Sequence, residues 1–196
     1  MAKVSVCITT FNEEKMINQL LESLARQTKK PDEIVIVDGG STDATASIIT
    51  KSPAFAKASA GTANIKFTVS KGATIARGRN IAVKQAKYDI IAMTDAGCVA
   101  DERWLERITR PFEPPSRGNV SRAKVQVVAG FYKMTTNSPF QKSLAHFLGV
   151  MPEKFDEKFL PSTRSIAFTK IVWQKVGWFN EKLTTAEDTD FNYKLN

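Results

Sequence analysis

Two short apolar runs, each halting at polar residues and separated by a helical stripe, constrain this chain more than any other feature. Val4-Ser5-Val6-Cys7-Ile8-Thr9 is β-rich and runs into Asn12-Glu13-Glu14, as a buried strand should. Ile17, Leu20, Leu21 and Leu24 follow at the i, i+3, i+4, i+7 spacing of a helix packed on a sheet. Pro31-Asp32 breaks that helix, and Glu33-Ile34-Val35-Ile36-Val37 makes a second strand that is almost continuously apolar. Such runs suit a parallel sheet covered on both faces. The chain is therefore read as an α/β fold with a mainly parallel central sheet flanked by helices. Asn12 stands where it would cap the first helix, with Glu13 and Glu14 in the first turn.

The pattern repeats. Ile65–Val69 reads as a third strand, Gly72 leads into a helix reaching Ala86, and Tyr88–Thr94 is a fourth strand ending at Asp95. A helix with Trp104, Leu105, Ile108 and Phe112 on one face comes next, then a strand over Val125–Phe131. Short helices are expected near Phe140–Leu148 and Thr169–Val176, and another starting near Glu187. Residues 52–63, with five alanines plus Pro53 and Gly61, read as a surface loop or insertion, as do residues 113–122, rich in Pro, Gly and Ser. With 196 residues and no internal repeat, a single domain over 1–196 is expected.

Composition removes several function classes. Cys7 and Cys98 are the only cysteines and His146 the only histidine, so a disulfide framework, a zinc site of Cys/His spacing and a two-histidine mechanism are excluded. The net charge of +8 is shared evenly, with 13 basic and 9 acidic residues in 1–98 against 15 and 11 in 99–196. No basic arm for nucleic acid stands out, and no nucleic-acid partner is expected. The charge reads as a cationic surface or a groove for an anionic substrate. No apolar run approaches the roughly 18 residues of a membrane span. The apolar stretch after Met1-Ala2-Lys3 is too short for a signal peptide. A cytoplasmic protein is expected, its positive surface suited to the inner face of a membrane.

The carboxylates fall in telling places. Asp38 and Asp95 each follow a predicted parallel strand, and Thr9 and Asn12 follow the first. Ligand crevices of open α/β sheets lie at those strand ends. Each residue alone is equally at home as a turn or cap residue, and it is their repetition that points to a site. Gly39-Gly40 is not the G-x-G-x-x-G fingerprint, and no Gly-Lys-Ser/Thr phosphate loop occurs.

Five segments in order resemble the family-2 inverting glycosyltransferases of GT-A fold. These are Val4 through Glu14, Ile34 through Asp43, Lys71-Gly72 through Asn80, Asp89 through Gly97 at the D-x-D position, and Ala186-Glu187-Asp188-Thr189-Asp190-Phe191 at the late Glu-Asp motif. The resemblance implies a GT-A-like single catalytic domain that binds a nucleoside-diphosphate sugar, UDP- or GDP-type. It implies transfer to an acceptor hydroxyl, lipid-linked or polysaccharide, as in cell-envelope or polysaccharide biosynthesis. Thr9, Asn12, Glu13 and Asp38 match positions lining the nucleoside pocket, and Arg77 and Lys71 would neutralise the diphosphate. Asp188 matches the general base. Asp95 matches the first acid of the motif that holds Mg or Mn.

Three departures accompany the match. Gly39 stands where the family often has a second acid after the second strand, and Gly97 replaces the second D-x-D acid, usually the direct metal ligand. Metal dependence is therefore expected to be weak. The chain also stops soon after Asp188, where family members usually continue, and reads as trimmed at its C-terminal end. Two other classes stay open at this point: a nucleotide-sugar-binding protein without catalysis, and a basic nucleic-acid-binding module.

Overall fold

A computed structural model describes residues 2–53, 64–113, 125–136, 138–148 and 161–195. Most of the two expected surface loops, 52–63 and 113–122, lies outside the described residues. Strands β1 (Val4–Thr10), β2 (Glu33–Asp38), β3 (Asn64–Val69) and β4 (Ile90–Asp95) are joined by helices α1 (Ile17–Ala25), α2 (Thr45–Lys51) and α3 (Ile75–Gln85). After β4 come α4 (Trp104–Thr109), β5 (Val127–Ala129), α5 (Pro139–Leu148), β6 (Ile166–Thr169), α6 (Lys170–Lys175) and α7 (Glu187–Tyr193). The sheet order is β3-β2-β1-β4-β6-β5. The first four strands are parallel, and β6 runs antiparallel to both β4 and β5. The expected α/β architecture is the one found.

The two-residue period of each strand sorts side chains between two cores. Val4, Val6 and Ile8 meet Leu20, Leu24 and Leu105 on one face. Cys7, Val35 and Met93 meet Val83, Trp173 and Phe191 on the other. With both faces covered, the strands have no need of a polar side, which is why they read as continuous apolar runs. The sheet's other end holds a buried network. Glu33 accepts hydrogen bonds from Ser5 Oγ (2.6 Å) and the Lys87 N–H (2.6 Å), and pairs with Lys66 Nζ at 2.7 Å.

Two local expectations fail. Asn12 does not cap α1: the helix starts after Met16, with no acid in its first turn. Asn12 instead adopts φ +54, and its Oδ1 accepts the Thr42 N–H at 2.9 Å while its own N–H donates to Ser41 Oγ at 2.8 Å. A tertiary clasp between the loops after β1 and β2 takes the capping atoms. β6 is the second miss. Its four residues run straight into α6, which Thr169 caps by accepting from the Val172 N–H, and only the helix left a periodic trace.

Candidate active site

Strand register brings three strand ends to one rim. Thr9 pairs with Asp95 and Thr10 with Asp38. β1 has β2 on one side and β4 on the other, so this rim is where the order of connections reverses and ligands enter such sheets. A cavity of about 460 Å³ opens there, lined by Thr9, Glu13, Gly39, Gly78, Asp95 and Thr184, among others. Gly78 lets α3 approach β1: a Cβ on it would sit 3.0 Å from Thr9 Cγ2. A second cleft of about 710 Å³ lies beyond the turn closed by Cys98 N–H donating to the Asp95 carbonyl at 3.0 Å. Gly97, Cys98, Trp104, Tyr132, Lys133 and Arg164 are on its walls.

The predicted site residues divide. Thr9, Glu13 and Asp95 line the first cavity. Asp38 does not: it is fully buried, and its Oδ1 accepts from the Gly40 and Ser41 N–H groups, both at 2.6 Å. It builds the turn whose Gly39 faces the cavity, and Gly40 supplies the φ of +99 the turn needs. Asn12 is the loop clasp described above. Arg77 is exposed and absent from the walls of both cavities. Lys71 is likewise exposed and off both walls.

Arg79, two residues after Arg77, is the arginine that faces inward. It is 2% exposed, donating through Nη2 to Asp95 Oδ1 at 3.0 Å and through Nη1 to Glu187 Oε1. One guanidinium thus joins the end of β4 to the start of α7 by charge-assisted bonds. Sequence reasoning passed over it, yet Ala76, Arg79, Asn80 and Val83 repeat at i, i+3, i+4, i+7 and are all buried. That spacing placed Arg79 inside and Arg77 outside. Asn80 does similar work beside it: its Nδ2 donates to the Phe179 carbonyl and to Glu181 Oε1, each at 2.9 Å.

Asp188 follows Glu187 in the first turn of α7. Thr185-Ala186-Glu187-Asp188 has capping-box spacing, but no such box forms. Ala186 is the N-cap, in the left-handed region at φ +57, and no side chain caps the helix. Asp188 Oδ1 accepts its neighbour Thr189 N–H at 2.8 Å, and Oδ2 accepts from Ser162 Oγ at 3.4 Å. Asp188 itself is on neither cavity wall; Thr184 of the first stands four residues before it, and Arg164 of the second donates through Nη1 at 3.3 Å to Ser162 Oγ, the hydroxyl that bonds Asp188.

Charge at the rim is unevenly compensated. Burial, then the charges of Asp95 and Asp43, push the Glu13 carboxyl above its ordinary range. Asp95 is better served, with Arg79 on one oxygen and Arg164 Nε 3.9 Å from the other. Burial chiefly, with Asp95 adding to it, raises the Cys98 thiol, so it is no activated nucleophile. Cys7 is buried and pushed up mainly by desolvation. Among the described residues no three His, Cys, Asp or Glu side chains gather as a metal cage. A hard cation here would rely on one or two carboxylates plus phosphate oxygens, the habit of Mg²⁺.

Residues 5–176 match the family described as Glycosyl transferase family 2. The chain belongs to that family. Among its relatives is a Staphylococcus aureus poly(ribitol-phosphate) beta-N-acetylglucosaminyltransferase, TarS, 38% identical over 200 residues that span 99% of this chain and 32% of TarS. The chain thus spans about a third of that relative. A solved structure of S. aureus TarS 1-349 in complex with UDP-GlcNAc superposes with a TM-score of 0.63 and 23% identity, covering 98% of this chain and 53% of that one. The mannosyltransferase PcManGT of Pyrobaculum calidifontis, solved with GDP-Man and Mn2+, gives a TM-score of 0.67 at 20% identity, over 96% and 50% of the two chains. The fold of this family-2 member is that of the GT-A transferases. No described helix is long and apolar enough to cross a membrane.

Proposed function

We propose that this family-2 chain transfers a sugar from a UDP- or GDP-linked donor to an acceptor hydroxyl, with inversion at the anomeric carbon. The observation that carries the reading is the Arg79 bridge, which couples Asp95 at the donor cavity to the turn bearing Asp188. The 460 Å³ cavity at the parallel strand ends takes the nucleotide sugar. The larger cleft beyond the Asp95–Cys98 turn takes the acceptor. Asp188 accepts the acceptor proton as its oxygen attacks the anomeric carbon, and the diphosphate leaves with the bonding pair. Trp104, Tyr132 and Phe131 on that cleft's walls suit the C–H faces of a sugar or polyol, while Lys133 and Arg164 favour an acceptor carrying negative charge. Poly(ribitol-phosphate), the polymer in the name of TarS, has that character.

The residues present fit the divalent ion of the family. Asp95 keeps one oxygen clear of Arg79, and such an ion supplies positive charge to the departing diphosphate. Arg79 meanwhile holds Asp95 in its orientation.

Thermal shift and calorimetry with UDP-GlcNAc, UDP-glucose and GDP-mannose test donor binding, since a bound donor raises stability by mass action. Proton NMR of the product then reads the anomeric configuration. Asp188→Asn should lower turnover by about 10²–10⁴-fold, the usual worth of a general base, with donor affinity unchanged. Undiminished transfer by that variant would remove Asp188 from the mechanism, and no shift with any nucleotide sugar would remove the donor site.

A further inference from the structure

We propose that Glu13 supplies the second carboxylate of a divalent-cation site shared with Asp95, in the space left by the side chain missing at Gly97. The inference rests on the donor-site reading above and deepens it. An ideal Cβ at Gly97 would lie 3.8 Å from both Glu13 Oε1 and Oε2, with no nearer atom around it. The Glu13 carboxylate therefore stands in contact with the point from which a side chain at position 97 would project. The acid arrives from the loop after β1 rather than from the turn after β4, but reaches the same place. Glu13 and Asp95 line one cavity.

What holds Glu13 leaves its carboxylate available. Its N–H donates to Thr45 Oγ1 at 2.7 Å, and its carbonyl accepts from the Met16 and Ile17 N–H groups. Among the described residues no hydrogen bond or ion pair reaches its side-chain oxygens. The neighbouring acid differs: Glu14 Oε2 accepts the Ala44 N–H at 3.0 Å. The charges acting on Glu13 are those of Asp95 and Asp43, both negative. Two carboxylates facing one cavity, one of them without a cation, match what Mg²⁺ or Mn²⁺ asks of a protein when phosphates and water complete its shell. Gly97 is not needed for a left-handed backbone, so an aspartate can replace it without conformational strain.

The experiment titrates Mn²⁺ into the chain with UDP, and in parallel with GDP, following free Mn²⁺ by electron paramagnetic resonance. The wild type with nucleotide should hold Mn²⁺ more tightly than nucleotide alone. Glu13→Gln should lose about 10–100-fold in Mn²⁺ affinity, the range seen when a metal site's supporting groups are disturbed. Its nucleotide affinity, measured in EDTA, separates loss of the cation from loss of the nucleotide, because Glu13 also lines the donor cavity. Glu13→Asp, with its carboxylate one methylene short, should fall between. Adding Gly97→Asp to Glu13→Gln should restore Mn²⁺ affinity, whereas Gly97→Asp alone should add little, because two carboxylates would contend for one volume. Wild-type Mn²⁺ affinity in Glu13→Gln, with nucleotide binding intact, overturns the assignment while sparing the donor site. A folded double variant no tighter than Glu13→Gln overturns it too. If neither nucleotide binds the wild type, the donor reading and this inference fall together.

Discussion

Arg79→Met removes one guanidinium and strands two carboxylates, and the structure sets the size of the loss. Glu187 is only 7% exposed and loses its cation in a place water barely reaches. Asp95 is 25% exposed and retains Arg164 at 3.9 Å, so its share is smaller. Breaking a buried pair by deleting one partner costs about 3–5 kcal/mol, and we expect roughly 4 kcal/mol here on that scale. Against a domain stability of about 5–15 kcal/mol this is a large fraction. At about 2–4 °C per kcal/mol for a chain of this size, Tm should drop by about 8–16 °C. Urea denaturation should show a lower midpoint at unchanged slope. Pairing the change with Glu187→Met should recover more than half of the loss, because apolar groups replacing a whole buried ion pair are often neutral or stabilising. A single variant within about 1 kcal/mol of wild type, the scale of an exposed pair, would refute the picture of Arg79 as a buried bridge. A double variant weaker than the single would refute it equally.

Other perturbations follow from particular contacts. Gly130→Ala would drive a Cβ into Ser165 Oγ, with Ser165 Cβ at 3.1 Å, and displace the hydroxyl that accepts from Trp104 Nε1. Overpacking of that kind costs about 1–3 kcal/mol, read as a lower midpoint in urea. At the far end of the sheet, burial works to raise the Glu33 carboxyl, but the Lys66, Ser5 and Lys87 contacts outweigh it and hold the group below its ordinary range. Its stabilisation is present above the unfolded value of about 4.3 and is lost as pH falls through the lowered folded value. Glu33→Gln should cost about 1–3 kcal/mol at neutral pH, and the gap should close in acid melts. Glu13 has the opposite sign: with its folded value raised, its contribution is favourable in acid and fades as pH rises through that value. Glu13→Gln should therefore melt higher than wild type at neutral pH without metal, and equal to it in acid.

The sheet was legible because its central strands β1, β2 and β4 are largely buried, and β2 is apolar without interruption from Ile34 to Val37 and ends at a polar residue on the rim. The rim itself was legible for the same reason, since Thr9 and Asp95 come level once the strands are parallel. What the sequence hid were side chains whose partners are distant in the chain. Asn12 has a capping residue's chemistry and a better offer from Thr42, 30 positions away. Arg77 and Arg79 are alike as letters, and only helical phase separates the exposed one from the buried one. Asp188 has capping-box spacing, but the left-handed Ala186 redirects the chain before α7 and leaves the box unmade. The Glu13 carboxylate beside Gly97 was beyond reach for a related reason: the two stand 84 positions apart, in two different motifs.

The register that levels Thr9, Thr10, Asp38 and Asp95 has an evolutionary consequence. The pairing of β1 with β2 and with β4 is registered up to that line. Residues added or removed beyond it lengthen or shorten a loop without sliding one strand along another. Loops after the strands are thus interchangeable modules, free to diverge in length and in the groups they bring to the rim. Arg79, held by an acid at the end of β4 and another at the start of α7, is the point at which that freedom stops.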